Sequence, residues 1–316
     1  MHPPAARDRL PDVLRELDLL VRAGQQPADP DPALAYADAT TWLARATACL
    51  RQLERAGHSD AEIRALATDL RSTAAASPFM RRIQSWPRGY PGDFETVEQI
   101  VDGRVDAAPH TFAWNLERVV LDTAMVAQHR NKIAAQARHI AACTRQRPDA
   151  AILALACGGA RDFVHAQASL HPDTTVVLND TDPAALTLAH QRLADRCQLH
   201  TEPGHAVRCV HRLAATRQFD LILIGGLFDY LPDRALARIL AVIHTSLLRP
   251  GGRCLFTNIA AGNRFRPLMH HLVDWPLIER DEAGLAALWA GLGRPADRLS
   301  ITREATGLTL LATTAQ

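Results

Sequence analysis

Residues 150–162 read AAILALACGGARD, and their reading decides the fold. Residues 150–157 form a short apolar run that does not alternate with polar residues and ends in small side chains. Such a run fits a strand buried on both faces, as in a parallel sheet. It opens into Ala156-Cys157-Gly158-Gly159-Ala160-Arg161-Asp162. Small residues stand at 156, 158 and 160, so a ligand can pass close to a backbone where bulky side chains would collide with it. A helix following this turn would aim its first N–H groups at the same place. A tight βα turn with no ligand is the competing reading. A full G-x-G-x-G would carry glycine where Ala156 and Ala160 stand; alanine is still small enough to keep the path open.

Moving outward, TTVVLND (174–180), RCQLHT (196–201), FDLILIGG (219–226) and GRCLFTN (252–258) read as further strands, separated by helical stretches. Strands alternating with helices predict βαβ units and a parallel sheet. The C-terminal stretch LSITREATGLTLLATT predicts two strands joined near Glu304–Gly307, an antiparallel hairpin at the sheet's end. The second strand ends on Asp180, 22 residues after Gly158. A carboxylate there suits the vicinal hydroxyls of a ribose. Its competing role, a helix N-cap, is better filled by Asp182 before Pro183, which leaves Asp180 and the adjoining Thr181 for a ligand. The loop Glu202-Pro203-Gly204-His205-Ala206 leaves room for a flat ring, though a plain turn fits it equally. The fourth strand ends in Gly225-Gly226-Leu227-Phe228-Asp229-Tyr230-Leu231. Ligands gather outside the carboxyl ends of such strands, which makes Gly226, Leu227, Asp229 and Tyr230 candidates; Phe228 and Leu231 read as core. Leu248-Arg249-Pro250-Gly251-Gly252 reads as the turn into the fifth strand.

The first half has a different texture. Residues 1–76 read as helices: a short first one, a second over Pro32–Ala56, and a third opened by a Ser59-x-x-Glu62 capping box and running to about Arg71. Ser77-Pro78 is expected to end that region. Phe94–Val101 and Thr111–Cys143 read as two more helices. The texture changes after Pro148, so the expected division is a helical cap over 1–147 and an α/β domain over 148–316. Between them in character lies Arg88-Gly89-Tyr90-Pro91-Gly92-Asp93. A cation, a phenol, an acid and two glycines in six residues are expensive to order unless they fold over something; the alternative is a turn with Arg88 paired to a surface acid.

Lysine and arginine total 35 and aspartate and glutamate 34, a net charge of +1 that gives no reason to expect a nucleic-acid partner. The six cysteines show no C-x-x-C or zinc spacing, so no metal is expected and the thiols read as small hydrophobes. The first residues have early charges and no apolar run of signal-peptide length, and no stretch is apolar enough to span a membrane. The cytoplasm is the expected compartment. A homodimer is left open.

Several segments together carry a family resemblance: SPFMRRIQSWPRGYPGDFETVEQI (77–100), ILALACGGARD (152–162), FDLILIGGLFDYLPD (219–233), LLRPGGRCLFTNIA (247–260) and MHHLVDWPLIER (269–280). They resemble the bacterial extracellular-factor biosynthesis methyltransferases, which make 3-hydroxypalmitic acid methyl ester. The resemblance implies a Rossmann-like class I methyltransferase core, a mostly parallel seven-stranded sheet with a C-terminal antiparallel hairpin, plus the N-terminal all-helical cap. It implies S-adenosylmethionine (SAM) as cofactor, with Ala156, Cys157, Gly158, Ala160, Asp180, Thr181, His205, Ala206, Gly226, Leu227 and Tyr230 around it. The acceptor it implies is a small molecule methylated on a carboxylate or hydroxyl oxygen, fatty-acid-like or a natural product. A carboxylate is already ionised and needs orienting, for which Arg88 is the candidate, with Tyr90 beside it. A hydroxyl or amine needs a base, for which His110, His205 and Asp229 are the options. SAM binding without catalysis, and methylation of nitrogen or carbon, are the alternatives. A nicotinamide-type Rossmann fold shares the Gly158–Asp180 spacing but lacks the terminal hairpin and would require a full G-x-G-x-x-G. Nucleic-acid methylation is disfavoured by the charge and by the absence of an Asn/Asp-Pro-Pro-aromatic tetrad after the fourth strand.

Overall fold

In a computed structural model, residues 10–316 are described, and they divide into two compact units. The first runs to Ala127 and takes in Arg264–Pro276; the second comprises Gln128–Asn263 and Leu277–Gln316.

The first unit is helical: α1 (Leu10–Gln25), α2 (Pro32–Arg55), α3 (Asp60–Leu66), α4 (Thr68–Ala74), α5 (Pro78–Ser85), α6 (Phe94–Asp102) and α7 (Phe112–Asp122). Its starts follow local chemistry. Asp31 caps α2 ahead of a proline, and Ser59 with Glu62 forms the expected capping box of α3. Three expectations change. The helix expected to reach Arg71 breaks at Ala67 into α3 and α4. Ser77-Pro78 closes nothing: Ser77 accepts the Met80 N–H and Pro78 takes the first helical position, so the pair starts α5. The expected helix over Thr111–Cys143 is interrupted at Thr123, which is extended at φ −67°, ψ 154°. Buried Glu117 of α7 binds the unit together, accepting from Ser77 Oγ, Phe79 N, Asp106 N and Ala107 N. The 264–276 segment is fastened by main-chain acceptors: Gln84 donates to Leu272 O and Trp86 Nε1 to Asp274 O, both at 2.8 Å.

The next helix, α8 (Ala124–Gln146), leads the chain into the second unit. There β1 (Ala151–Leu155), β2 (Thr175–Asp180), β3 (Gln198–Pro203), β4 (Phe219–Ile224) and β5 (Leu248–Ile259) run parallel, followed by antiparallel β6 (Leu299–Arg303) and β7 (Thr309–Ala315). The order across the sheet is β3-β2-β1-β4-β5-β7-β6. Strand periodicity assigns the two faces. Leu153, Leu155, Val177, Ile222 and Ile224 face one way, with α11 (Ala206–Leu213) and α12 (Asp233–Val242); Ile152, Ala154, Val176, Leu178, Leu221 and Leu223 face the other, with α8, α9 (Arg161–Ala166) and α10 (Pro183–Leu193). The expected turn at 248–252 sits inside β5 as an irregularity, since Leu248 pairs with Phe219 and the next pairing is Arg253 with Leu221. The last helix, α13 (Glu282–Gly291), precedes the hairpin. Among the described residues no helix is long and apolar enough to cross a membrane.

Candidate active site

The loop after β1 is shaped by three left-handed residues. Ala156, Gly158 and Ala160 have φ of 51°, 53° and 54°. Two of them carry a Cβ that this conformation penalises by roughly 1–2 kcal/mol each. Strain of this kind persists where surroundings over-determine it, most often at ligand sites. Cys157 N donates to Asn179 O at 3.0 Å and Ala160 N to Cys157 O at 3.0 Å. Arg192 of α10 donates to Gly159 O at 2.7 Å.

Asp180 is not left free, as the sequence suggested, but ties this loop to its own strand. Oδ2 accepts the Gly158 N–H at 2.8 Å and Oδ1 the Asp182 N–H at 2.9 Å. Desolvation raises its pKa, against which these N–H groups pull. A carboxylate offers about four lone-pair sites, so acceptor capacity remains for a ligand's hydroxyls. Asp182 caps α10 as expected. The residue sequence reasoning missed is Asn179, whose Nδ2 donates to Glu202 O and Gly204 O, both at 2.7 Å. With Gly204 N donating to Asp180 O at 2.8 Å, the ends of β1, β2 and β3 are stitched into one edge. Gly204 has φ +116°, and nothing lies within 4 Å of where its Cβ would stand. Thr181 and His205 are exposed, and Ala206 is buried at the start of α11.

After β4 the chain turns at Gly226, φ +92°, into a helical turn over Leu227–Tyr230. Leu227 is partly buried against the core and Tyr230 is exposed. Asp229 is buried; its Oδ1 accepts the Ile259 N–H at 2.6 Å and its carbonyl the Ile278 N–H at 2.7 Å. Burial pushes its carboxyl up to about 6, although Lys132, the Ile259 N–H and Arg280 pull the other way. Two further side chains come from α8. The Gln136 amide would meet a Cβ on Gly225 at 2.4 Å, and Lys132 Nζ a Cβ on Gly226 at 3.1 Å. Burial lowers the Lys132 pKa, opposed by Asp229 and Glu304. Neighbouring His129 is buried too, and desolvation with Lys132 and Arg130 holds it well below the usual histidine range. Arg280, also missed in the sequence, spends all five N–H donors around the same turn: on Phe228 O and Leu231 O of the turn, on Asn258 Oδ1 of β5 and, twice, on Asp233 Oδ1 at the start of α12.

Arg88, Tyr90 and His110 belong to the first unit. Arg88 pairs with Glu95 at 3.3 Å and stacks on Phe94 with Cζ 4.8 Å from the ring centroid. Asp93 of the same segment caps α6 and pairs with Arg82 at 2.7 Å. Tyr90 is half-buried. His110 is exposed, takes φ 61°, and lies 5.9 Å from the Trp114 ring. Among the described residues no cluster of histidine, cysteine and carboxylate side chains could hold a metal ion.

Residues 153–254 match the family model of a methyltransferase domain. No curated protein matches the sequence. Among solved structures, a possible exported protein from Bordetella parapertussis is similar over 100% of this chain and 99% of its own, at 17% identity and a TM-score of 0.59. The CurJ carbon methyltransferase is similar over 98% of this chain and 93% of its own, at 13% identity and 0.53. Magnesium protoporphyrin IX methyltransferase from Synechocystis, solved with bound S-adenosylhomocysteine (SAH), is similar over 75% of this chain and 96% of its own, at 10% identity and 0.50. At these identities the likeness is one of fold. The second unit thus has the Rossmann-like class I methyltransferase architecture, terminal hairpin included.

Proposed function

We propose that this chain transfers the methyl group of SAM to an oxygen, carboxylate or hydroxyl, of a small fatty-acid-like or natural-product acceptor. It is a SAM-dependent methyltransferase. The observation that carries the reading is the stitched edge at β1, β2 and β3, inside the segment that matches a methyltransferase domain. That edge suits an adenosine: Asp180 retains acceptor capacity for the ribose, and the open side of Gly204 takes the flat base between His205 and Ala206. Residues 148–316 hold the donor in this reading, with Ala156, Cys157, Gly158, Ala160 and Thr181 along it and Gly226, Leu227 and Tyr230 towards its sulfonium end. Residues 1–147 form the cap and substrate lid.

SAM supplies an electrophilic methyl; the protein's task is to align the nucleophile and exclude water. Arg88 orients a carboxylate acceptor, with Tyr90 beside it, and His110 or Asp229 takes the proton of a hydroxyl. The resemblance to extracellular-factor methyltransferases supports a 3-hydroxy fatty acid as the first acceptor to try. The test is calorimetric titration with SAH, then SAH release and mass-spectrometric detection of methyl esters from 3-hydroxy acids of graded length. A 14-dalton gain confined to the carboxyl end is expected. SAH binding with no turnover on any acid or alcohol would mark a cofactor-binding protein without this activity.

A further inference from the structure

The turn after β4 lies beside two buried, oppositely charged side chains that do not pair with each other. Lys132 of α8 is 8% exposed and Asp229 is 5% exposed. Among the described residues no acceptor stands within hydrogen-bonding or ion-pairing distance of Lys132 Nζ. Asp229 Oδ1 takes the Ile259 N–H, and Oδ2 has no donor among the described residues. Both atoms flank Gly226: a Cβ there would lie 3.1 Å from Nζ and 3.6 Å from Oδ2. Arg280 acts on Asp229 only through its charge and donates no hydrogen bond to it, because its N–H groups are all engaged elsewhere.

An unpaired buried charge costs several kcal/mol unless something answers it. A lone carboxylate entering here would meet Lys132 but also Asp229; a lone cation would meet the reverse conflict. A group carrying both charges on one carbon satisfies both. We propose that Lys132 and Asp229 receive the α-amino acid end of SAM, Lys132 taking the carboxylate and Asp229 the ammonium. This rests on reading the chain as a SAM-dependent methyltransferase, and it leaves His110 rather than Asp229 as the base for a hydroxyl acceptor. The layout of the sheet agrees. Asp180 ends β2 and Gly226 follows β4, with β1 between them, two strand spacings or about 9–10 Å apart. A ribose at the first places an extended amino acid tail at the second. Residues 151–160 contain no acid, so the loop after β1 offers the ammonium no side-chain partner. The competing acid is Asp162, buried in the first turn of α9.

The experiment compares SAH with 5′-methylthioadenosine, which has the same adenosine and thioether but no amino acid group, by calorimetry on the full chain. Lys132→Met keeps the apolar stem and Asp229→Asn keeps an acceptor for Ile259, so both should fold; thermal unfolding checks this. Each is expected to weaken SAH about 10- to 100-fold, as for a charge-assisted hydrogen bond, while methylthioadenosine changes less than about threefold. Lys132→Arg should recover part of the loss. Equal losses for both compounds, or unchanged SAH affinity, would overturn the assignment while leaving the SAM reading intact. Selective loss in Asp162→Asn but not Asp229→Asn would move the ammonium site. Failure of the wild-type protein to bind either compound would overturn the SAM reading itself, and this inference with it.

Discussion

Replacing Arg280 by methionine should destabilise the second unit by about 3–5 kcal/mol, although Arg280 touches no expected ligand. The side chain is 5% exposed and its guanidinium ties two acceptors of the turn after β4, Phe228 O at 2.8 Å and Leu231 O at 2.6 Å, to Asn258 Oδ1 of β5 at 2.6 Å. Each buried acceptor left without its donor costs about 1–3 kcal/mol, and breaking a buried charged network costs about 3–5. The lower part of the combined range applies, because Leu231 is only partly buried and water can reach it. The bond to Asp233 adds little, since that carboxylate is 65% exposed. Lysine should rescue poorly: it restores charge but not the planar fork that reaches several acceptors at once. Urea unfolding measures the loss as a lower midpoint at unchanged m. Hydrogen exchange localises it, because the Ile259 and Ile278 amides, both bonded to Asp229, should lose protection first. A loss below about 1 kcal/mol, or equal protection at those amides, would refute the idea that Arg280 holds the turn.

Asp180→Ala should weaken SAH by about 1–3 kcal/mol and also lower stability, since the Gly158 and Asp182 N–H groups lose their acceptor; Asp180→Asn should separate the two effects, and unchanged SAH affinity in it would remove Asp180 from the ribose site. Ala156→Gly should stabilise the fold by up to about 1 kcal/mol by relieving φ 51°, and a lower urea midpoint would show that the loop carries no such strain. Burial raises the Asp162 carboxyl from 3.8 to about 6, so the unfolded chain gives up this proton first and stability should fall as pH rises from about 4 to about 6, by at most about 3 kcal/mol. Asp162→Asn should flatten that part of the pH–stability curve, and an unchanged slope would contradict the assignment. Arg88→Ala with Tyr90→Phe should cut turnover more than SAH affinity; an unaltered rate would take both residues out of the reaction.

The sheet was legible because buried parallel strands announce themselves as apolar runs: 150–157 is unbroken, and 174–180 and 219–226 centre on VVL and LILI. The β3 edge strand was weaker in sequence for the same reason, as QLHTEP has no fully buried residue. Helix breaks were not legible. Nothing local distinguishes Ala67 or Thr123 from its helical neighbours, and Ser77-Pro78 carries the same residues whether a helix stops or starts there. The loop residues 156, 158 and 160 were found by smallness, yet their shared left-handed φ could not be inferred from two alanines. Asn179 was passed over because the acid beside it seemed sufficient. Lys132 and Gln136 were invisible for a different reason. They lie on a helix buried more widely than one stripe, so polar residues there mark no outer face. Arg280 sits far along the chain from the turn it holds, and main-chain pairing of 278–280 with Asp229 and with the end of β5 brings it there.

Where the unfavourable features fall bears on what this edge is for. Left-handed alanines at 156 and 160, a desolvated Asp162 and Asp229 occur at the carboxyl end of β1 and β4 or in the first turn beyond, and Lys132 of α8 brings its Nζ to Gly226 in the same place. A fold selected for stability alone would bring Lys132 and Asp229 into contact or replace both by apolar residues, which is often neutral or favourable. The rest of the second unit takes that course: its two sheet faces are almost wholly Leu, Ile, Val, Ala and Phe. Buried charged groups elsewhere in it find partners, as Glu304 does with Asn131, Thr306, Leu308 and Thr309, although the neutral atoms His244 Nδ1 and Thr257 Oγ1 are buried without one. The contrast is therefore positional. Costs concentrate where a ligand of matching charge could repay them, and the Lys132 and Asp229 variants decide whether it does. If both stabilise the protein and both weaken SAH selectively, the same few kcal/mol will have been measured from two sides, as strain in the empty edge and as affinity in the filled one.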